Sequence, residues 1–196
     1  MIHSLYIYQA SGSDPFENLA REQVLLEQGP ADGVILYLWQ NQNTVVIGRN
    51  QNAFKECRTS LLEEEGGKLA RRLSGGGAVF HDLGNLCFSF ISHAKIHNVT
   101  RQLSVIADAC RSFGIDAEPT GRNDIEADGR KFSGNATADH KGAKLFHGTL
   151  LISGNLDRLS GYLTVDPKKI QSKGIASVRS RVCNLTEFSS ELTVNS

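Results

Sequence analysis

The sequence predicts an α+β domain with mixed or antiparallel sheets and flanking helices. Three observations lead there. β-rich runs come in turn-linked groups, helical stripes fall between those groups, and the strict β-α-β alternation of a Rossmann sheet is absent. A chain of 196 residues, 40% hydrophobic, has enough apolar surface for one sizeable core.

The elements follow in order. Leu5 to Gln9 reads as a strand. Ser13-Asp14-Pro15-Phe16-Glu17 is a helix start, with Asp14 as N-cap, Pro15 in the first turn and Glu17 at the reciprocal position. Phe16, Leu19, Ala20 and Val24 follow at helical spacing and are the expected inward stripe. Val34 to Trp39 and Thr44 to Ile47 are strands joined through the turn-like Asn41-Gln42-Asn43. Ser60 to Glu63 is a capping-box pattern opening a short helix. Leu86 to Ile91 is a strand. Thr100 is the expected cap of a helix with Leu103, Ile106, Ala107, Cys110 and Phe113 on one stripe, ended by Gly114. Asp128-Gly129 signals a hairpin between Ile125 and the Arg130–Thr137 segment, and Leu145 to Ile152 is a further strand.

Composition excludes several classes of function. Lys plus Arg and Asp plus Glu both number 21, so nonspecific nucleic-acid binding has little electrostatic support. The longest apolar runs, such as Gly33 to Trp39, are far too short to span a membrane, and no signal peptide is read at the N-terminus. Cys57, Cys87, Cys110 and Cys183 lack paired spacing, which suits a reducing cytoplasm. The chain is expected to act as a monomer.

Chemistry concentrates in three segments. In Arg71-Arg72-Leu73-Ser74-Gly75-Gly76-Gly77-Ala78-Val79-Phe80-His81-Asp82, successive glycines let backbone N–H groups approach an anion, and Arg72 offers a charged fork. The alternative is a tight hairpin; neither the P-loop nor the dinucleotide fingerprint matches. In Arg130 to Thr137, strand periodicity puts Lys131, Ser133 and Asn135 on one face and Phe132 on the other. Lys131 there either neutralises a leaving phosphate or is a solvated hairpin lysine. Asp124 either holds Mg²⁺ or starts a turn. His147, in His147-Gly148-Thr149, is either an acid–base group or a structural histidine. Cys110 lies on its helix's apolar stripe and reads as core.

Together these segments resemble lipoate–protein ligase A. The resemblance is carried by Thr44 to Arg49, Lys55-Glu56-Cys57, Arg71 to Asp82, Gly121-Arg122-Asn123-Asp124, Arg130-Lys131 with Ser133-Gly134, His147 to Leu151, and two blocks at 173–175 and 177–182. It implies a fold shared with biotin protein ligases and a two-step reaction. Lipoate and ATP give lipoyl-AMP and pyrophosphate; a lysine of an acceptor protein then takes the lipoyl group. It places the nucleotide and the adenylate on Arg72, Ser74, Gly75, Gly76, Gly77, Ala78, Val79 and Phe80. Asn85, Asp124, Lys131, Ser133, Gly134, His147 and Gly148 complete that site. Lipoate is expected on Arg72, Gly76, Lys131 and His147, with its chain in an apolar tunnel. Lys131 is the expected catalytic residue and Mg²⁺ the implied cofactor, with Asp124 its candidate ligand. The implied partners are lipoyl domains of 2-oxoacid dehydrogenase E2 subunits and the glycine cleavage H protein.

Residues 1–185 match the family's catalytic domain and 186–196 are read as an unmatched tail. Single-chain family members continue past the region of Thr186-Glu187 into a smaller C-terminal domain. A separate accessory domain is therefore a further implied partner, and transfer from preformed lipoyl-AMP is the activity expected of this chain alone. The competing readings are a Cys-dependent octanoyl or lipoyl transferase of the same fold, a biotin ligase, and a non-catalytic lipoate-binding module.

Overall fold

The structure, a computed structural model, describes residues 4–29, 32–121, 123–164 and 182–196. Arg122 and residues 173–181, which carry part of the family resemblance, lie outside the described residues. Strand β1 (Ser4–Gln9) is followed by helix α1 (Pro15–Gln28), then β2 (Gly33–Trp39) and β3 (Thr44–Ile47). Short helices α2 (Ala53–Glu56) and α3 (Thr59–Glu64) lead to β4 (Lys68–Arg71), β5 (Val79–His81) and β6 (Asn85–His93). After α4 (Val99–Ser112) come β7 (Ala117–Thr120), β8 (Asp124–Ala127), β9 (Arg130–His140), β10 (Ala143–Leu151) and α5 (Leu156–Tyr162).

Two sheets result. A seven-stranded sheet runs β1-β2-β6-β10-β9-β8-β7, and a three-stranded sheet runs β4-β3-β5. Among the named strands of the described residues only β1–β2 and β3–β4 pair in parallel, so the fold is α+β with mixed sheets, as predicted. One face of the large sheet packs Phe88, Phe90 and Phe146 against Ile106, Ala107 and Cys110 of α4. The other packs Tyr37, Trp39, Cys87 and Leu145 against Leu26 of α1. Strand alternation divides each strand between these two cores.

The local signals for turns and caps hold in part. Asp14 caps α1 by accepting from the N–H groups of Phe16 and Glu17. Asp128 and Gly129 both have positive φ, the conformation of a type I′ hairpin turn. Two expected caps move. The α4 cap is Asn98, with Thr100 inside the first turn, and α3 begins after Arg58 with no side-chain cap. Asn98 wins because its oxygen reaches the N–H of Arg101 at 2.9 Å.

The inward stripe of α1 differs more. Phe16 and Val24 are exposed, while Asn18, Glu22 and Leu26 are buried. Asn18 and Glu22 face inward because the sheet supplies partners: Tyr37 Oη–H donates to Asn18 Oδ1 at 3.1 Å, and Ser89 Oγ–H donates to Glu22 Oε1. A paired polar group can enter a core that an unpaired one cannot.

Candidate active site

The segment between β4 and β5, residues 72–78, carries the three glycines and is held from two sides. Arg72 Nη2–H donates to the carbonyls of Gly75 and Gly77, both at 2.7 Å, and its Nε–H to Ser74 Oγ at 3.1 Å. Arg71 reaches the other way, donating from Nη1 to the carbonyls of Gly48, Arg49 and Gln51. Adjacent residues on a strand point to opposite faces, so each arginine fastens a different loop. Gly76 sits at φ +95, which favours glycine. Gly48 lies so close beneath that a Cβ there would stand 2.5 Å from the Gly76 carbonyl oxygen.

This loop forms one wall of a cavity of about 360 Å³. Gly76, Gly77, Ala78 and Val79 contribute from the loop side, with Arg72 at the base. Asn123, Asp124, Lys131 and Gly134 contribute from β8 and β9, and His147, Gly148 and Thr149 from β10. Leu19, Trp39, Val46, His81 and Cys87 complete the lining. The cavity therefore combines a glycine-rich wall and two cations, Arg72 and Lys131, with apolar side chains, the lining of a site for an amphipathic ligand.

Lys131 Nζ lies 2.7 Å from Asp124 Oδ1, so the two expected residues form an ion pair on the cavity wall. A β-bulge places them there. Glu126 pairs with Lys131 but Ile125 pairs with Ser133, leaving Phe132 as the extra residue. Strict alternation would put Ser133 beside Lys131. The bulge instead keeps Lys131 on the side of Gly134 and Asp124, and it buries Phe132 and Ser133. The expectation that Ser133 shares the face of Lys131 is thus corrected.

Not every sequence-predicted residue meets the cavity. Phe80 packs on Tyr162 in a separate core, because Val79 and His81 take the cavity side of β5. Asn85 is buried, its Nδ2–H donating to Cys87 Sγ at 3.4 Å. Ser74 is buried and bonded to His147 Nε2 at 2.6 Å. The Gly75 carbonyl serves Arg72. Sequence reasoning did not assign Leu19, Trp39, Val46, His81, Cys87, Asn123, Asn135, Ala136 and Thr149 to the site. His81 stands four residues after Gly77 in the same motif, and Asn123 precedes Asp124; those two were within reach of the motif.

Two histidines line the wall, each with its own partners. His147 Nδ1 lies 2.8 Å from Glu22 Oε1. Asn18 Nδ2–H donates to Asn41 Oδ1, which orients the Asn41 amide so that its Nδ2–H donates to His81 Nδ1 at 3.1 Å. His81 Nε2 then carries the proton and has no partner among the described residues. Burial, with the Arg72 and His147 charges, pulls the His81 pKa down to about 3, so its ring is neutral.

All four thiols are free and buried. Cys87 lies at the cavity wall, 3.5 Å from His81 Nδ1, which makes it the candidate for thiol chemistry. Burial, followed by the Glu22 charge, pushes that thiol well up, and burial raises the other three. Nothing here activates a cysteine nucleophile. Among the described residues no group of three or more His, Cys, Asp or Glu is placed to hold a metal ion. No helix among them is long and apolar enough to cross a membrane.

The glycine loop, the lysine and the apolar-ended cavity belong to one class of catalytic domain. Residues 14–196 match the family model for the lipoyl protein ligase A/B catalytic domain, and the chain belongs to that family. A bi-partite lipoate protein ligase from Thermoplasma acidophilum, solved in a study that includes its E2 lipoyl domain, is 33% identical with a TM-score of 0.81. The match covers 94% of this chain and 75% of that one. P. falciparum LipL1, solved with lipoate, is also 33% identical, with a TM-score of 0.84; 97% of this chain covers 58% of it. A lipoate-protein ligase A bound with ATP is 32% identical with a TM-score of 0.78, over 96% of this chain and 78% of that one.

Proposed function

We propose that this chain joins lipoate to a lysine of an acceptor protein through a lipoyl-adenylate, with catalysis carried by residues 1–185. The observation that carries the reading is that one cavity is lined by the Gly76–Val79 wall, Lys131 and the apolar Leu19, Trp39 and Val46. Relatives solved with lipoate and with ATP support the choice of ligands.

The first step brings two anions together. The lipoate carboxylate attacks the α-phosphorus of ATP; a C–O–P anhydride forms, the bond to the β-phosphate oxygen breaks, and pyrophosphate leaves. The loop's backbone N–H groups and the Lys131 ammonium offset the charge that builds on the phosphate. Arg72 acts chiefly on the loop, since its Nη2 donates to the carbonyls of Gly75 and Gly77. The apolar side chains take the dithiolane and alkyl chain, which fixes the carboxylate near the glycine-rich wall. In the second step the acceptor lysine's amine attacks the acyl carbon. An amide forms, AMP departs with the former C–O electron pair, and the amine releases its proton. Lys131 steadies the departing phosphate.

Mg²⁺ would find one carboxylate on the wall, Asp124. Magnesium commonly takes one or two carboxylates and completes its shell with phosphates and water, so the donor set fits. When bound, the ion supplies charge neutralisation to the phosphates. The acceptors we propose are lipoyl domains of 2-oxoacid dehydrogenase E2 subunits and the glycine cleavage H protein. Lys131→Ala tests the reading: it should cut transfer by ~10²–10³-fold, the usual cost of one positioned charged donor. Near-normal single-turnover transfer to a lipoyl domain by that variant would remove Lys131 from the mechanism.

A further inference from the structure

Glu22 is wholly buried in the middle of α1 and is not part of any motif in the sequence. It nevertheless starts an unbroken chain of side chains that ends on the glycine-rich loop. Glu22 Oε1 accepts from Ser89 Oγ–H, whose oxygen accepts in turn from Trp39 Nε1–H at 3.0 Å. The same Oε1 lies 2.8 Å from His147 Nδ1, and His147 Nε2 lies 2.6 Å from Ser74 Oγ. Ser74 Oγ accepts from Arg72 Nε–H, and Arg72 holds the Gly75 and Gly77 carbonyls. Three segments far apart in sequence are thus joined by two hydrogen bonds to one imidazole.

The order Glu–His–Ser is that of a nucleophile triad, but the surroundings rule out that use. Ser74 is 1% exposed, its oxygen already takes the Arg72 proton, and it does not line the cavity. What the chain transmits is position. With the Glu22 carboxylate accepting from Nδ1–H, the tautomer held in place is the one that leaves Nε2 to accept from Ser74 Oγ–H. Without the carboxylate the ring is free to take the other tautomer, and Ser74 loses its short acceptor, keeping only the Gly75 carbonyl at 3.4 Å. Burying a carboxylate is costly, and Glu22 Oε2 has no partner among the described residues. Good packing alone would favour an apolar side chain at this position; the acceptor at Oε1 is what Glu22 adds.

We propose that Glu22 is a positioning residue for the glycine-rich loop, acting through the tautomer of His147 and the hydroxyl of Ser74. The proposal deepens the ligase reading above, and its first two readouts do not depend on that reading. Glu22→Ala, Glu22→Gln, Ser74→Ala and the double alanine variant are compared in the full chain. Hydrogen exchange follows the amides of residues 74–78, and nitrogen-15 shifts report the His147 tautomer. Glu22→Ala and Ser74→Ala should each speed loop exchange about tenfold, the value of one such bond. The double variant should be no faster than the faster single one, and Glu22→Gln, which keeps the acceptor, should stay near wild type in both readouts. With lipoate and ATP, the KM for ATP should rise in Glu22→Ala by about the same factor, with a smaller change in kcat.

A Glu22→Ala protein that melts lower yet keeps its loop exchange and His147 tautomer overturns the proposal, because Glu22 is then only a packing residue. Effects that multiply in the double variant also overturn it. Should Glu22→Ala not fold, Ser74→Ala decides alone: it must loosen residues 75–78 while α1 keeps wild-type protection, and failure to do so refutes the chain. If the loop behaves as stated but the wild type makes no adenylate, the positioning role stands and the ligase reading fails.

Discussion

Gly48→Ala is the sharpest single test of how the loop is held. A Cβ at position 48 would lie 2.5 Å from the Gly76 oxygen, 3.1 Å from the Gly75 carbonyl carbon and 3.2 Å from the Gly75 oxygen. Ordinary van der Waals contact begins near 3.4 Å, so the loop must retreat by about 0.9 Å. Neither side yields freely. Arg72 fixes the carbonyls of Gly75 and Gly77, Arg49 N–H donates to the Ser74 carbonyl at 2.9 Å, and Arg71 holds the Gly48 carbonyl at 3.0 Å. Overpacking of this kind costs about 1–3 kcal/mol, or several degrees in Tm for a chain this size. A displacement near 1 Å at a reacting phosphate costs ~10²-fold in kcat/KM. The control is Gly75→Ala, whose Cβ meets nothing within 4 Å and should leave Tm unchanged. Lipoate-dependent pyrophosphate release and thermal melting on both variants form the assay. A Gly48→Ala protein with wild-type rate and Tm would show that the loop is neither clamped nor placed as described.

Further expectations follow from the same geometry. Gly76→Val, at φ +95 and with a Cβ only 2.8 Å from Arg72 Nη2, should weaken calorimetric binding of lipoyl-AMP by at least ~10-fold; unchanged affinity would make the glycine a turn residue only. Gly148→Ala would set a Cβ 1.9 Å from Asn135 Oδ1 and 2.7 Å from Phe88, so urea unfolding should show a loss of about 1–3 kcal/mol, and an unshifted midpoint would contradict the packing. His81 binds its proton less readily folded, at about 3, than unfolded, at 6.5. The unfolded state therefore takes up more protons between those values, and the His81 contribution, complete above pH 6.5, is lost as pH falls. The slope is about 1.4 kcal/mol per pH unit. His81→Gln should flatten urea stability between pH 6 and 4.5; an unchanged slope would place the titration elsewhere.

Much of this site could be read in the sequence, and the part that could not has physical reasons. Asp14, Asp128-Gly129 and the glycine string act through local backbone chemistry, so their positions survive without knowledge of the fold. Lys131 was legible as a strand residue, but the bulge at Phe132 was not, since a bulge depends on the partner strand. The inward face of α1 failed for a related reason. An apolar stripe is the default, and Asn18 and Glu22 replace it only because Tyr37, Asn41, Ser89 and His147 arrive from elsewhere in the chain to pair with them. Leu19 looked like core, and Trp39 and Cys87 were read only as strand residues; all three also line the cavity. β4 (Lys68–Arg71) and β7 (Ala117–Thr120) lack the run of β-branched residues that made β3, of equal length, legible as a strand.

The most direct test of the central claim is the intact mass of a lipoyl domain after incubation with this chain and preformed lipoyl-AMP, run beside lipoate, ATP and Mg²⁺. The account predicts a gain of one lipoyl group on one lysine from lipoyl-AMP, with AMP released in step, and a loss of that gain in Lys131→Ala. An unmodified lipoyl domain, both with lipoate plus ATP and with preformed lipoyl-AMP, would contradict it.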